Sequence, residues 1–370
     1  MRSEYRAYRF RLYPGKKQME QMAKTFGCCR FLYNHMLADK IRTYQETGKM
    51  LRNTPAQYKR EFPWLKEVDS LALANVQLHL ESAYRNFFEN PAAGFPKFRA
   101  KHHSRDSYTT NVVNGNIRLE GRRLKLPKMD PVRIIVHRTI PSDGILKSVT
   151  IVREPSGKYY ASLLYEQEAC ENQTAFPVRA ENVLGIDFAM SGLGVFSDGT
   201  RADYPMYYRK DEKKLSREQR KLSRCQRGSR NYEKQKERVA RCHEKVRNQR
   251  MDYQNKLVCR LAGQFDAVCV EDLDMKSMSK GLHFGKSVMD NANGAFRRKL
   301  QEKLERQGKA FVKADRYFPS SKRCSRCGRI RKDLQLSERI YECECGYKED
   351  RDVNAALNLR QEGIRILGCA

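Results

Sequence analysis

The 370-residue chain has no uninterrupted apolar stretch near the ~20 residues that a membrane-spanning helix needs. Its opening segment, MRSEYRAYRF, has no apolar signal region either, so a soluble protein is expected. Acidic residues are short relative to basic ones: 44 Asp and Glu face 73 Lys and Arg, a formal net charge of +29. That excess goes beyond what solubility asks for and marks a polyphosphate partner, with nucleic acid the expected ligand. Neither a lipidation motif nor a lipid-inserting helix accompanies the charge, which sets aside a membrane surface. A disulfide framework is missing as well. Eight of the 12 cysteines are scattered (Cys28, Cys29, Cys170, Cys225, Cys242, Cys259, Cys269, Cys369), a usage that fits a reducing cytosol.

The other four cysteines form two pairs. Cys324-Ser-Arg-Cys327-Gly and Cys343-Glu-Cys345-Gly are fifteen residues apart and each closes on glycine, the knuckle arrangement of a structural Zn²⁺ ribbon with four thiolates. The second knuckle is one residue shorter than usual, which predicts strain in the tetrahedron. Disulfide pairing is the competing reading.

Three carboxylates stand in the same half of the chain. Val183, Leu184, Gly185 and Ile186 run into Asp187, and apolar residues resume from Gly192 to Phe196, which predicts a buried strand, a turn and an antiparallel second strand. A charge amid buried strand residues needs a partner, either a metal or the polar groups of a turn. A second strand, Ala267 to Val270, runs into Glu271; alternation turns the neighbouring Asp272 to the opposite face. Asp352 precedes Val353, Ala355, Ala356, Leu357 and Leu359, a helical stripe, where either it or Asp350 serves as the cap; spacing alone does not separate the two. Hard oxygen ligands at strand and helix ends are what two Mg²⁺ ions require for phosphodiester hydrolysis, one ion activating water and the other stabilising the leaving oxygen.

Between the first two acids, residues 209–250 hold 17 basic and six acidic residues. Val239, Cys242, Val246, Tyr253, Leu257 and Leu261 mark the apolar face of a long helix there, whose basic face suits phosphates. The first half reads as a separate module. Residues 5–13 alternate like a strand and stop at Pro14-Gly15; residues 16–88 turn helical; short strands return over 107–113, 117–119, 123–126, 132–136, 146–152 and 158–165, suggesting a small β-barrel that the N-terminal strand completes. Basic and aromatic residues interleave at Phe95, Lys97, Phe98, Arg99, Lys101 and Tyr108, a mixture suited to gripping a backbone and stacking a base or to lining a barrel core.

Taken together, RFRLYPGKKQMEQMAKTFGCCRFLYN, GFPKFRAKHHSRDSYTTN, GIDFAMSGLGVFSDG, VEDLDMKSM, FRRKLQEKL and SSKRCSRCG…CECGYKEDRDVNAALNL resemble the TnpB family of bacterial insertion sequences, compact relatives of type V CRISPR effectors, over nearly the whole chain and in the family's order. The resemblance implies an RNA-guided DNA endonuclease: a noncoding guide RNA supplies sequence specificity, a short target-adjacent motif is read by the protein, and one RuvC site cuts both DNA strands. It implies Asp187, Glu271 and Asp352 as the catalytic Mg²⁺ ligands, ranking Asp352 above Asp350. Cys324, Cys327, Cys343 and Cys345 hold Zn²⁺ on this reading, and Arg30, Tyr33, Asn34, Lys97 and Arg99 contact nucleic acid.

The implied architecture is multidomain, α/β and β. It has an RNase H-like RuvC domain (176–320 and 347–370), an inserted zinc ribbon (321–346), and an N-terminal wedge β-barrel (1–15 and 92–175) split by a helical recognition bundle (16–91). The expected location is the bacterial or archaeal cytoplasm, in association with the nucleoid, with no obligate protein partner. The chain departs from the family at Ala189, where Gly is common, and in the block from Asp290 to Phe296, which often has Trp. A strand transferase and a nuclease-silent RNA-guided repressor are the alternative functions.

Overall fold

Tyr8, Phe10 and Leu12 point inward from the first strand while Arg9, Arg11 and Tyr13 point outward, so one alternating segment both seeds a core and lays a basic-aromatic stripe on the surface. The computed structural model describes residues 3–90, 92–101, 105–168, 177–189, 192–272, 290–335 and 337–369. Cys170, His102 to Ser104 and most of the VEDLDMKSM block lie outside them. The chain divides into two compact units, residues 1–171 and 172–370.

In the first unit β1 (Ser3–Tyr13) is followed by α1 (Lys16–Thr47), α2 (Pro55–Glu61) and α3 (Ser70–Glu89). Six strands then return: β2 (Asp106–Asn111), β3 (Arg118–Glu120), β4 (Arg123–Leu126), β5 (Met129–Ile135), β6 (Ile145–Arg153) and β7 (Tyr159–Glu168). They pair antiparallel in the order β2-β6-β7-β1-β5-β4-β3, a curled sheet with β2 and β3 at its ends and register shifts at Leu124/Leu126 and Leu146/Ser148. Every strand expected from the sequence is present within a few residues. Phe10, Leu12, Leu124, Val132, Ile134, Val149 and Leu163 meet Met22, Leu32, Met36, Leu73 and Leu80 of the helices in one core, where each fully buried aliphatic side chain contributes about 1.5–3 kcal/mol. The Asp69 carboxylate caps α3 through the Leu71 amide (3.0 Å) and accepts the Thr110 hydroxyl of β2, fixing helix to sheet.

In the second unit β8 (Val183–Asp187), β9 (Val195–Phe196), β10 (Ala267–Glu271) and β11 (Ala310–Ala314) form a sheet ordered β11-β10-β8-β9, parallel except for β9. The basic region is two helices rather than one, α4 (Tyr207–Ser223) and α5 (Arg230–Gln264), because the polar stretch 224–229 turns the chain back. The α6 helix (Asn293–Glu305) follows, then a two-stranded hairpin of β12 (Ile340–Glu342) and β13 (Lys348–Asp350), which leads directly into α7 (Arg351–Leu367). Among the described residues no helix is long and apolar enough to cross a membrane.

The two faces of this second sheet differ. Leu184, Ile186, Val268 and Val270 pack their side chains against Leu257, Leu261, Phe296 and Leu300 of α5 and α6. On the other face α7 sits on Gly185, so closely that a Cβ there would overlap the Ala356 carbonyl oxygen and lie 2.5 Å from the Arg360 amide. Gly363 on α7 completes the fit against Cys269, whose Cβ would be 2.7 Å from a side chain at that position.

Candidate metal centres

Parallel pairing places the carboxyl ends of β8 and β10 side by side, Val270 opposite Ile186, and so brings Asp187 and Glu271 to one edge of the sheet. The first turn of α7 delivers Asp352 to the same edge. Burial pushes the Asp187 carboxyl well above the usual carboxylate range, and the charges of Glu271 and Asp352 push it further, with Arg351 opposing. Glu271 is raised too, by burial first and by Asp352, against a hydrogen bond from Ser320 that favours its ionised form. Among the described residues nothing donates a hydrogen bond or an ion pair to Asp187. A desolvated carboxylate with no hydrogen-bond donor among the described residues, set against two other carboxylates, offers the hard oxygen donors that a divalent cation such as Mg²⁺ takes.

The raised carboxyls carry a stability consequence. Between their unfolded values near 4 and their higher folded values, the folded chain binds more protons than the unfolded one, so its stability falls as pH rises through that window. Without divalent cations the thermal midpoint should therefore drop, as pH rises above the ordinary carboxylate range, more steeply than in Asp187→Asn. Identical slopes by scanning calorimetry would refute this.

The neighbouring acids are occupied otherwise. Asp350 is the helix cap: its Oδ1 accepts from the Asp352 and Val353 amides (3.0 and 3.2 Å) while Oδ2 takes Arg201 Nη2 at 2.7 Å. This leaves Asp352 in the first turn, with Arg351 Nη2 3.5 Å from its carboxylate. Asp272 turns to Arg297 of α6 (3.2 Å), as strand alternation predicts. Asp290, fully buried, accepts from the Tyr208 and Arg209 amides at the start of α4 and from the Tyr204 hydroxyl. Asn291 beside it donates to the Gly192 carbonyl (2.5 Å), bracing the loop that follows Asp187.

The four cysteines converge. Cys324 and Cys345 sulfurs are 3.7 Å apart, Cys327 and Cys343 sulfurs 3.6 Å, and all four lie within 4.8 Å of one another. Zn–S bonds of about 2.3 Å give a tetrahedral edge of about 3.8 Å, so the thiols fit zinc. Among the described residues this is the one group of three or more such ligands gathered that tightly, and Asp187, Glu271 and Asp352 are not drawn together to that degree. The short second knuckle fits because Gly346 takes φ 82° and its amide returns to the Cys343 carbonyl, matching Gly328 at φ 78° and its bond to Cys324. A backbone hydrogen bond from Arg329, helped by the other thiols, holds the Cys327 thiol down to about 7, which favours the metal-binding thiolate. Elemental analysis should find about one zinc per chain, and Cys345→Ser should lose most of it. Full retention by that variant would refute the four-thiolate site.

In the first unit, the expected nucleic-acid contacts are largely used internally. Asn34 exchanges two hydrogen bonds with the Arg99 backbone (3.0 and 2.8 Å), the Arg99 guanidinium lies 3.8 Å from the centre of the Tyr33 ring, and Arg30 pairs with Asp106 at 3.8 Å. Lys97 is exposed, on the segment these contacts pin to α1. A cationic-aromatic surface that sequence reading did not single out lies on the outer sheet face, where Arg9 and Arg11 stack on Tyr160 (4.2 and 5.1 Å) and Arg11 and Arg133 flank Tyr13. The alternation of Arg and Tyr in β1 was its signal.

Three family models match the chain: "Probable transposase" of the OrfB_IS605 group over residues 163–281, "Cas12f1-like, TNB domain" over 294–359, and "Helix-turn-helix domain" over 1–49, where the structure has a strand and one long helix. A "Putative RNA-guided DNA endonuclease" of Streptomyces pristinaespiralis is 32% identical across 100% of this chain and 92% of its own length. InsQ of Escherichia coli K12, given the same description, is 32% identical over 98% and 93%. The fold is similar to that of Cas12f1 solved with sgRNA and target DNA, with a TM-score of 0.54 at 13% identity, covering 93% of this chain and 83% of that one. With 32% identity over nearly the full length of two such relatives, the chain belongs to the TnpB family of RNA-guided DNA endonucleases.

Proposed function

We propose that the protein is a transposon-encoded, RNA-guided DNA endonuclease whose catalytic residues are Asp187, Glu271 and Asp352. The observation that carries this reading is the delivery of the three carboxylates to one sheet edge by β8, β10 and the first turn of α7, with burial and the charges of Glu271 and Asp352 raising the Asp187 carboxyl. When bound there, a pair of Mg²⁺ ions supplies activation of water and stabilisation of the leaving oxygen. The protein's part is to hold the ligands: β8 and β10 fix Asp187 and Glu271 by main-chain pairing, α7 fixes Asp352, and the Asp350 cap keeps the first turn of α7 in place.

Base pairing by a guide RNA supplies sequence specificity, while the net charge of +29 holds the heteroduplex by its backbone. The curled sheet serves as the wedge, and α1 to α3 as the recognition bundle. A short target-adjacent motif is read in the first unit, with Arg30, Tyr33, Asn34, Lys97 and Arg99 in or beside that surface. Incubating the protein and its co-purified RNA with Mg²⁺ and a plasmid library should yield guided double-strand breaks. Strand joining would identify a transferase instead, and occupancy without cuts a repressor.

A further inference from the structure

Asn354 and Asn358 lie one turn apart on α7, both fully buried in a stripe that otherwise holds Ala355, Ala356 and Leu359. Burying two amides on a packing face is costly unless they are bonded; a single stretch of backbone, residues 320–325, bonds both ends of the Asn354 amide and the amide nitrogen of Asn358, whose Oδ1 has no partner among the described residues. Asn354 donates to the Arg323 carbonyl (2.8 Å) and accepts from the Ser325 amide (3.0 Å). Asn358 donates to the carbonyls of Ser320 (2.8 Å) and Arg323 (2.6 Å), and Gln361, one turn on, donates to the Ser325 carbonyl (2.6 Å). That same stretch carries the Cys324 thiol at one end and, at the other, the Ser320 hydroxyl, which donates to Glu271 Oε1. One six-residue segment thus touches the thiol cluster, the Glu271 carboxylate and the helix bearing Asp352.

We propose that Ser320, Asn354 and Asn358 are positioning residues that couple zinc occupancy of the cysteine cluster to the geometry of Glu271 and Asp352, so that the ribbon tunes the affinity of the carboxylates for their divalent cations. The inference rests on the catalytic reading above. Zinc held by Cys324 and Cys327 would fix the turn that follows Ser320. The Asn ladder transmits that fixed position to α7, and the Ser320 hydroxyl transmits it to Glu271. Hydrogen-bond partners that orient metal ligands typically change metal affinity 10–100-fold when removed.

The test uses the guide-RNA complex. Manganese binding is followed by electron paramagnetic resonance and, in parallel, cleavage is measured across a Mg²⁺ titration. Ser320→Ala should weaken Mn²⁺ binding and raise half-saturating Mg²⁺ by roughly 10-fold, with saturated cleavage largely restored, zinc content unchanged, and recovery in Ser320→Thr. Asn358→Ala should show the same shift together with faster zinc loss to a chelator. Should that variant fold poorly, removing zinc from the native complex supplies the same readout: Mn²⁺ binding should weaken and return on zinc restoration. Unchanged Mn²⁺ affinity in Ser320→Ala or in the zinc-stripped complex would overturn the coupling. A native complex that neither binds Mn²⁺ at the carboxylates nor cuts DNA would instead overturn the catalytic reading.

Discussion

Asp187→Ala should lower guided DNA cleavage by about a thousand-fold or more, a barrier increase of about 4 kcal/mol, while guide-RNA binding stays near the native value. The separation follows from where the residue sits. Asp187 ends β8, with Val183, Leu184 and Ile186 carrying the packing, and no described residue depends on its carboxylate for a hydrogen bond. Removing it therefore takes a ligand from the divalent site without opening a core cavity. The same geometry predicts an opposite effect on stability. In the absence of divalent cations Asp187 is held beside Glu271 and Asp352 at a cost in desolvation and repulsion, so Asp187→Asn should melt higher than the native protein, by about 2–4 °C for each kcal/mol relieved. Addition of Mg²⁺ should reverse the order. Joint loss of cleavage and RNA binding in Asp187→Ala would make the residue a folding determinant instead.

Gly185→Ala should be among the most damaging single substitutions in the second unit. The added methyl meets main-chain atoms of α7, the Ala356 carbonyl and the Arg360 amide, which unlike a flexible side chain cannot swing away. Overpacking of this kind costs about 1–3 kcal/mol and more when the obstacle is backbone. Relief requires α7 to lift from the sheet, which moves Asp352 away from Asp187 and Glu271. We expect a loss of about 3 kcal/mol or more in unfolding free energy, with cleavage falling further than stability alone explains. Gly263→Ala is the control: that glycine lies inside α5 with open space around its missing Cβ, and the substitution should be neutral or stabilising by about 0.5–1 kcal/mol. Equal behaviour of the two variants in denaturant titrations would show that α7 does not bear directly on Gly185.

Period-2 and period-3.6 patterns made most elements legible before any coordinates: the strand leading into Asp187, the strand leading into Glu271, the helix after Asp352, and the strand-helix-strand order of the first unit. The cysteine spacing was legible for the same reason, since metal ligands must recur at knuckle distance. What the sequence hid were relations between distant segments. Asp350 and Asp352 are indistinguishable by spacing; the amide bonds that Asp350 accepts from Asp352 and Val353 show which acid caps, and Arg201, 149 residues away, occupies its other oxygen. The apolar stripe from Val239 to Leu261 marks the long α5 and stops short of α4, so the turn at 224–229 was missed. Asn354 and Asn358 did leave a trace: amides four apart in an apolar helical stripe must find partners. Nothing in the chain, however, names residues 320–325 as those partners. The closing of the β-strand module as a barrel depends on edge pairing between β2 and β3, which local pattern does not encode.

The unequal faces of the second sheet bear on how this protein can be altered. Toward α5 and α6 the contact is made by interchangeable aliphatic and aromatic side chains, a surface on which volume can be redistributed in small steps. Toward α7 side chains such as Leu359 still pack with Cys269 and Val312, but at Gly185 main chain rests on main chain and no volume can be added. An engineer seeking a hardier variant has free play on the first face and none at Gly185, so heat resistance can be raised toward α5 and α6 while the three carboxylates stay where they are.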